Sequence, residues 1–176
     1  MTQQKISALK LDPDMKFMLI QLAQDHAELF TRLTSQILTA AGIVIFGASS
    51  ALAKTGAAIT NYIVSGVPRQ IPASTALPAL SGTTATTLFN VYAWFVDGSG
   101  NLTSAMGTAS ATLAGVIFPV APVGSACVGF VQIHPTGTGA FVGGTTNLDD
   151  VTVVPNAVFI SPTGPFNPGA VAQIIA

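Results

Sequence analysis

The fold of this chain is decided by TLFNVYAWFV, residues 87–96, and by the DGSG sequence at 97–100 that follows it. Aromatic and β-branched residues are prominent in the first segment, and such residues favour strands. Asp-Gly is typical of two-residue hairpin turns. We therefore predict a strand over 87–96, a hairpin turn, and a return strand that begins at residues 101–103.

Short apolar runs are spread over the rest of the chain. Gly and Pro separate them, and their spacing is typical of all-β proteins rather than of alternating strands and helices. The runs are IVIF at 43–46, NYIVSG at 61–66, VIF at 116–118, CVGFVQI at 127–133, VTVV at 151–154 and AVFI at 157–160. We predict a mainly β fold, with a β-sandwich or barrel-like body over residues 42–160.

The N-terminal segment, residues 1–41, has a helical pattern instead. Asp12 is a favourable N-cap, Pro13 suits the first helical position, and Asp14 suits the positive end of the helix dipole. No Gly or Pro follows until Gly42, which is the expected end of the helix. We predict an N-terminal helical arm or coiled coil in front of the β body.

Apolar residues in this helix recur with the three- and four-residue spacing of a heptad seam. The predicted seam, an oligomer interface, consists of Met15, Leu19, Leu22, His26, Leu29, Leu33 and Gln36. The alternative is an ordinary amphipathic helix packed on its own domain, because other apolar residues widen the face beyond a strict seam. Those residues are Phe17, Met18, Ile20, Phe30 and Ile37. Either arrangement needs a partner surface, and Leu at both seam positions does not choose between two and three strands.

Charged residues are scarce and unevenly distributed. The chain has six Lys and Arg and seven Asp and Glu, which is 7% of its residues, against about 25% in a typical soluble domain. Eight of them lie in residues 1–40, and residues 98–148 contain none. A weakly charged surface of Thr, Ser, Ala and Gly fits permanent packing against other subunits, because charged residues are depleted from interface cores.

The same composition argues against several classes of protein. The net charge is −1 and no basic run exists, so we expect no nucleic-acid partner. Polar residues and glycines interrupt the uncharged stretches, so we expect no membrane span. A single cysteine, Cys127, excludes a disulfide framework. The first residues lead into no early apolar run, so we expect no secretory signal.

Few residues could carry chemistry. His134 is expected in an exposed loop, and Cys127, in an apolar strand, is expected to be a buried, inert thiol. Asp149 and Asp150 are expected to cap a turn. His26 is expected to form a polar layer of the seam, although three His26 side chains in a trimer would offer a metal or anion site. We predict no catalytic, cofactor-binding or metal-binding residue and no enzymatic activity.

The C-terminal arm, residues 161–176, combines a Pro- and Gly-rich segment at 161–169 with an apolar segment at 170–175. The first segment cannot form a regular element, and the second needs an apolar surface to dock on. The predicted docking residues are Phe166, Val171, Ile174 and Ile175. Their docking surface belongs either to a neighbouring subunit or to the arm's own domain.

Three stretches of the body resemble a known class of proteins in their local sequence. They are NYIVSG at 61–66, FNVYAWFVDGSGNLT at 89–103 and GFVQIHPTGTGAFVGGTTNLDDVTVVPNAVFI at 129–160. Together they resemble small virion structural proteins of tailed bacteriophages, over roughly residues 40–168. The resemblance implies a β-rich capsid decoration (cement) protein, homotrimeric, bound to the major capsid protein or other virion proteins. It also implies a place on the capsid surface of the virion, after synthesis in the host cytoplasm.

The N-terminal helix departs from that resemblance. It fits the attachment segment of a head-fibre, tail-fibre or baseplate component as well as a cement arm. A decoration protein would be abundant in the virion, whereas a fibre or baseplate component would be present in few copies. A third alternative is an enzyme or a host-binding module such as a carbohydrate binder. Tyr92, Trp94 and Phe95 are available for it, but their strand positions favour core packing.

Overall fold

A computed structural model of the chain describes residues 12–136, 138–155 and 157–166. Within these ranges the fold is mainly β, as predicted, with one α-helix in front of several antiparallel sheets and a short 3-10 helix at Leu113–Gly115. The sheets form a sandwich-like body that does not close into a barrel. Antiparallel strands can be joined by short turns, which agrees with the Gly and Pro residues between the runs.

The helix α1 spans Pro13–Thr34. Asp12 caps it, because the Asp12 carboxylate accepts a hydrogen bond of 2.9 Å from the N–H of Asp14. The predicted end at Gly42 is wrong, since the chain becomes extended after the helix and Ile37 is buried in the body. Strand pairing and burial of residues beyond the helix override their helical propensity.

Short strands follow the helix. In chain order they are β1 (Gln36–Ile37), β2 (Val44–Ile45), β3 (Ala53–Lys54), β4 (Thr60–Val64), β5 (Val67–Ile71), β6 (Thr83–Thr84), β7 (Asn90–Asp97), β8 (Leu102–Met106), β9 (Ser125–Ile133), β10 (Phe141–Val142) and β11 (Val158–Ile160). The largest sheet has the order β11-β9-β7-β8, and a second sheet has the order β1-β4-β5. Strands β2 and β3, and strands β6 and β10, form two-stranded sheets.

The predicted hairpin is present as β7 and β8. Asp97 holds its turn, because the carboxylate accepts hydrogen bonds from the N–H of Ser99 at 2.7 Å and of Asn101 at 2.9 Å. The side-chain amide of Asn101 donates a further bond of 2.8 Å. This amide and the backbone donors hold the pKa of the Asp97 carboxyl below its ordinary value.

Strand β7 lies at the centre of the body and is buried on both faces. Its even-numbered residues from 92 to 96 belong to the main core, which is shared with the β1-β4-β5 sheet. Its odd-numbered residues from 91 to 95 belong to a smaller core on the other face. Phe118 and Phe166 cover that smaller core, and their ring centroids lie 5.3 Å apart. Burial on both faces explains why this strand lacks the alternation of a half-exposed strand.

Strand β9 contains a β-bulge opposite the centre of β7. The pairing register shifts between Trp94 and Phe95, which leaves one residue of β9 unpaired. Gly129 lies at this bulge. A Cβ there would lie 2.5 Å from the Cδ1 of Ile43 and 2.6 Å from the carbonyl oxygen of Ile160. The close approach of these neighbours therefore requires glycine.

Two predicted strands are wrong, and five observed strands are not predicted: β1, β3, β5, β6 and β10. Residues 116–118 make an isolated bridge through Ile117, and residues 151–154 form turns. The sequence does not predict β5, because Pro68 reads as an interruption. Since β5 lies at the edge of its sheet, Pro68 can be accommodated without a donor to a further strand.

Candidate functional site

Helix α1 carries a large exposed apolar surface. No residue of α1 whose exposure is described is buried. Seven large apolar side chains on it are between 48% and 71% exposed: Met15, Phe17, Met18, Leu22, Leu29, Phe30 and Leu33. Single exposed apolar residues need no explanation, but a contiguous apolar surface marks an interaction site.

Most of these side chains form one stripe. At the ~100° rotation per residue of an α-helix, the stripe covers about 120° of the circumference. We define the helix stripe as Met15, Met18, Leu19, Leu22, His26, Leu29, Phe30 and Leu33. Phe17 and the charged residues Asp14, Lys16 and Asp25 lie outside it. A stripe of this width is what an amphipathic helix buries against an apolar partner surface.

Gln36, the last residue of the predicted seam, does not belong to the helix. It lies in β1, where it pairs with Ile63, and its side-chain amide donates a hydrogen bond of 2.8 Å to the carbonyl of Leu33. The N–H of Gly66 donates a bond of 2.9 Å to the carbonyl of Thr34 and fixes the end of the helix to the body. The seam therefore ends at Leu33, and α1 enters the body without a linker.

His26 lies in the middle of the helix stripe and is exposed. Among the residues that the structure describes, no group of three or more His, Cys, Asp and Glu is placed to hold a metal ion. A His26 layer between subunits requires more than one copy of the chain. It stays a prediction.

A crevice of about 350 Å³ lies beside the base of the helix. We name it the root crevice. It is lined by residues 35–37, by the loop and strand residues 120–127, and by Phe95, Gly164 and Phe166. None of these residues is charged. The crevice is thus a second apolar surface, continuous with the place where the helix joins the body.

Two valines at the rim of the root crevice are almost fully exposed to solvent. Val120 is 89% exposed and Val123 is fully exposed. Neither valine is among the predicted site residues, because the prolines beside them indicate only a break between strands. The signal was the segment PVAPVG at 119–124, in which Pro and Gly prevent a regular strand that could bury the valines.

The beginning of the C-terminal arm docks on its own body, which is one of the two predicted arrangements. The ring of Phe166 contacts Phe118 edge to face and lies 5.8 Å from the ring of Phe130, centroid to centroid. The N–H of Gly164 donates a hydrogen bond of 2.7 Å to the carbonyl of Ile37. The other predicted docking residues lie outside the described residues: Val171, Ile174 and Ile175.

Two candidate reactive side chains, those of Cys127 and His134, are buried or half-buried in the body. Burial raises the pKa of the Cys127 thiol to about 12, so the thiol is protonated and unreactive near neutral pH, as predicted. The prediction of an exposed His134 is wrong. This side chain is half-buried, and its ring stacks on Phe89 with centroids 3.7 Å apart.

Asp149 and Asp150 hold loops, as predicted. The Asp149 carboxylate accepts a hydrogen bond of 2.7 Å from the N–H of Ser49. The Asp150 carboxylate accepts bonds from the hydroxyl of Thr152 at 2.6 Å and from its N–H at 2.9 Å. These bonds hold the pKa of the Asp150 carboxyl below its ordinary value. The two carboxylates therefore bind different loops instead of facing a shared substrate position.

The aromatic residues considered for carbohydrate binding are fully buried. The indole N–H of Trp94 donates a hydrogen bond of 2.9 Å to the carbonyl of Pro78. The hydroxyl of Tyr92 lies 2.8 Å from the hydroxyl of Thr84. Tyr92, Trp94 and Phe95 thus build the core and offer no exposed ring on which a sugar could stack.

Comparisons with protein-family models, with curated proteins and with solved structures found no match to this chain. Across the described ranges, no helix is both long and apolar enough to cross a membrane. Because most side chains of the helix stripe are apolar and exposed and the lining of the root crevice is uncharged, these two surfaces are the candidate functional surfaces. Both are suited to binding apolar protein segments.

Proposed function

We propose that this protein is a non-enzymatic virion structural protein that assembles as a homotrimer through α1 and decorates a bacteriophage capsid. The observation that carries the assembly part is the helix stripe, whose large apolar side chains are exposed beside a body with a closed core. The capsid part is supported by the resemblance of residues 61–66, 89–103 and 129–160 to virion proteins of tailed bacteriophages.

The spacing of the helix stripe favours association with copies of itself. Apolar surface removed from water contributes about 25 cal/mol per Å², and a heptad seam buries most when an identical seam faces it. The charged side chains of Asp14, Lys16 and Asp25 lie beside the stripe rather than within it. Like charges from neighbouring helices are therefore kept away from the centre of the assembly.

Trimerisation supplies a mechanism for capsid stabilisation. Three bodies on one axis contact neighbouring capsid subunits together, and linked contacts bind more tightly than one body alone. Such contacts exist in the assembled shell and are lost when it comes apart. Binding that is restricted to the assembled state stabilises that state by mass action. The weakly charged surface of the body suits permanent contacts of this kind.

Light scattering on the purified chain tests the assembly. We expect the mass of three subunits for the wild-type chain and of one subunit for Leu22→Asp/Leu29→Asp, because two carboxylates per helix would be buried in the seam. Gln24→Asp adds a charge on the opposite side of α1 and is the matched control, which should remain trimeric. A monomeric wild-type chain would refute the proposed assembly, and so would a trimer that tolerates both seam substitutions.

Binding to capsids tests the location. We expect the wild-type chain to saturate purified capsid shells and the monomeric seam variant to bind them far more weakly. Quantification of the protein in virions then decides between capsid and tail. A few copies confined to the tail would reject the decoration role in favour of a fibre or baseplate component, for which the exposed α1 would be the attachment segment.

A further inference from the structure

The described end of the C-terminal arm forms part of the wall of the root crevice. Gly164 and Phe166 line it, and the hydrogen bond from Gly164 to Ile37 fixes the backbone there. The crevice volume of about 350 Å³ lies within the ~300–1,000 Å³ range of binding pockets in proteins. The chain beyond Phe166 therefore starts at the edge of a surface suited to aliphatic side chains.

We propose that the root crevice is the docking site for the apolar segment at residues 170–175 of the same chain. Residues 167–169 connect this segment to Phe166. An extended chain spans at most about 3.6 Å per residue, so residue 170 starts within about 14 Å of Phe166. Because Phe166 is itself part of the crevice lining, the segment starts close to the surface on which we propose that it docks.

The chemistry of the segment matches that of the crevice. The segment is AVAQII, with Gln173 as its single polar side chain. The residues that line the crevice have no charge, so a charged peptide would lose hydration there without gaining a partner. The aliphatic segment would instead cover Val120 and Val123, whose exposure is otherwise costly.

The short connection favours the chain's own segment over a separate molecule. A short flexible linker gives a local concentration in the mM range. A free peptide or a second copy would have to exceed that concentration to compete. Docking in the same chain is also independent of trimerisation through α1, so it can be tested whether or not the proposed assembly is correct.

Thiol labelling tests the docking. Val123→Cys in a Cys127→Ala background places one reactive thiol on the rim of the crevice, and its reaction with a maleimide is followed at low protein concentration. We expect deletion of residues 167–176 to accelerate labelling at least about tenfold, the factor expected when a mM local concentration exceeds a Kd near 0.1 mM. Ile174→Asp/Ile175→Asp should accelerate it similarly without shortening the chain.

Two controls make the result specific. Val151→Cys in the same background reports on a 75% exposed valine outside the crevice, and its rate should not depend on residues 167–176. Repeating the series with Leu22→Asp/Leu29→Asp removes any protection that arises from association of α1. Equal Val123→Cys rates with and without the segment would overturn the proposal. Protection that grows with protein concentration in the seam variant would also overturn it and assign the crevice to the segment of a second copy.

Discussion

The helix and the β body use apolar residues in opposite ways. In β7, Trp94 and its neighbours are fully buried, whereas Phe17 and Met18 of α1 are 68% and 71% exposed. The body therefore gains its stability from its own side-chain packing. Most of the stability of a helix in a protein comes from packing of its apolar face rather than from helix propensity, and the apolar face of α1, which spans 22 residues, is exposed in the single chain. In the proposed assembly, this contrast gives folding to the β body and association to α1.

The largest expected effect comes from Trp94→Ala. It removes a fully buried side chain and its hydrogen bond to Pro78, and we expect a loss of about 3–5 kcal/mol in the free energy of unfolding. Phe17→Ala, on the opposite side of α1 from the helix stripe, should change it by less than about 0.5 kcal/mol. Urea unfolding followed by Trp fluorescence cannot be used for the Trp variant, so circular dichroism measures both. Equal losses would remove the contrast between helix and body.

A smaller loss is expected from Gly129→Ala. The added Cβ would meet Ile43 and the carbonyl oxygen of Ile160 at less than 3 Å, and overpacking of this kind costs about 1–3 kcal/mol. Gly47→Ala is the control, because a Cβ there meets nothing within 4 Å. Chemical denaturation compares the two variants. An unchanged midpoint for Gly129→Ala would show that β11 can move away from the bulge.

Asp12→Ala should act on the helix alone. It removes the hydrogen bond to the N–H of Asp14, and loss of an N-cap costs about 0.5–2 kcal/mol of helix stability. We expect a weaker helical circular dichroism signal and an unchanged thermal midpoint of the β body. A matching shift of the body's midpoint would mean that the helix and the body unfold as one unit.

The smallest effect is the pH dependence that Asp97 contributes. The carboxyl has a lowered pKa in the folded chain, so it stabilises the fold above the ordinary pKa near 3.9 of a free Asp. That contribution is lost as the pH falls through the folded-state pKa. Asp97→Asn should therefore flatten the decrease in thermal midpoint on acidification below about pH 4. An identical decrease in both proteins would contradict the role of Asp97 in the turn.

Much of the fold is predictable from local sequence. The β7–β8 hairpin follows from its aromatic strand and its Asp-Gly turn, and the start of α1 follows from Asp12 and Pro13. The end of α1 is not predictable in this way, because it is set by burial of Ile37 against segments distant in sequence. Edge strand β5 is missed for a similar reason, since the position of Pro68 in the sheet decides whether proline is tolerated.

The helix stripe and the root crevice also differ in how far the local sequence predicts them. Periodicity predicts the seam residues of the helix stripe up to Leu33, but not Met18 and Phe30. The same periodicity would describe a helix packed on its own body, so the structure is needed to show that the stripe is exposed. The root crevice has no local signature. It forms where residues 35–37, 120–127 and 164–166 meet, and their meeting depends on the topology of the whole body.

The direct entry of α1 into β1 has a mechanical consequence. Strand β1 is held on one side by the hydrogen bond from Leu38 to Asn61, at 2.8 Å, and on the other by the bond from Gly164 to Ile37. Tension applied through the helix would be divided between these two attachments, the hydrogen bond from Gly66 to Thr34 and the buried side chain of Ile37. Because no flexible linker separates α1 from β1, a force on the helix would act directly on the buried part of the body.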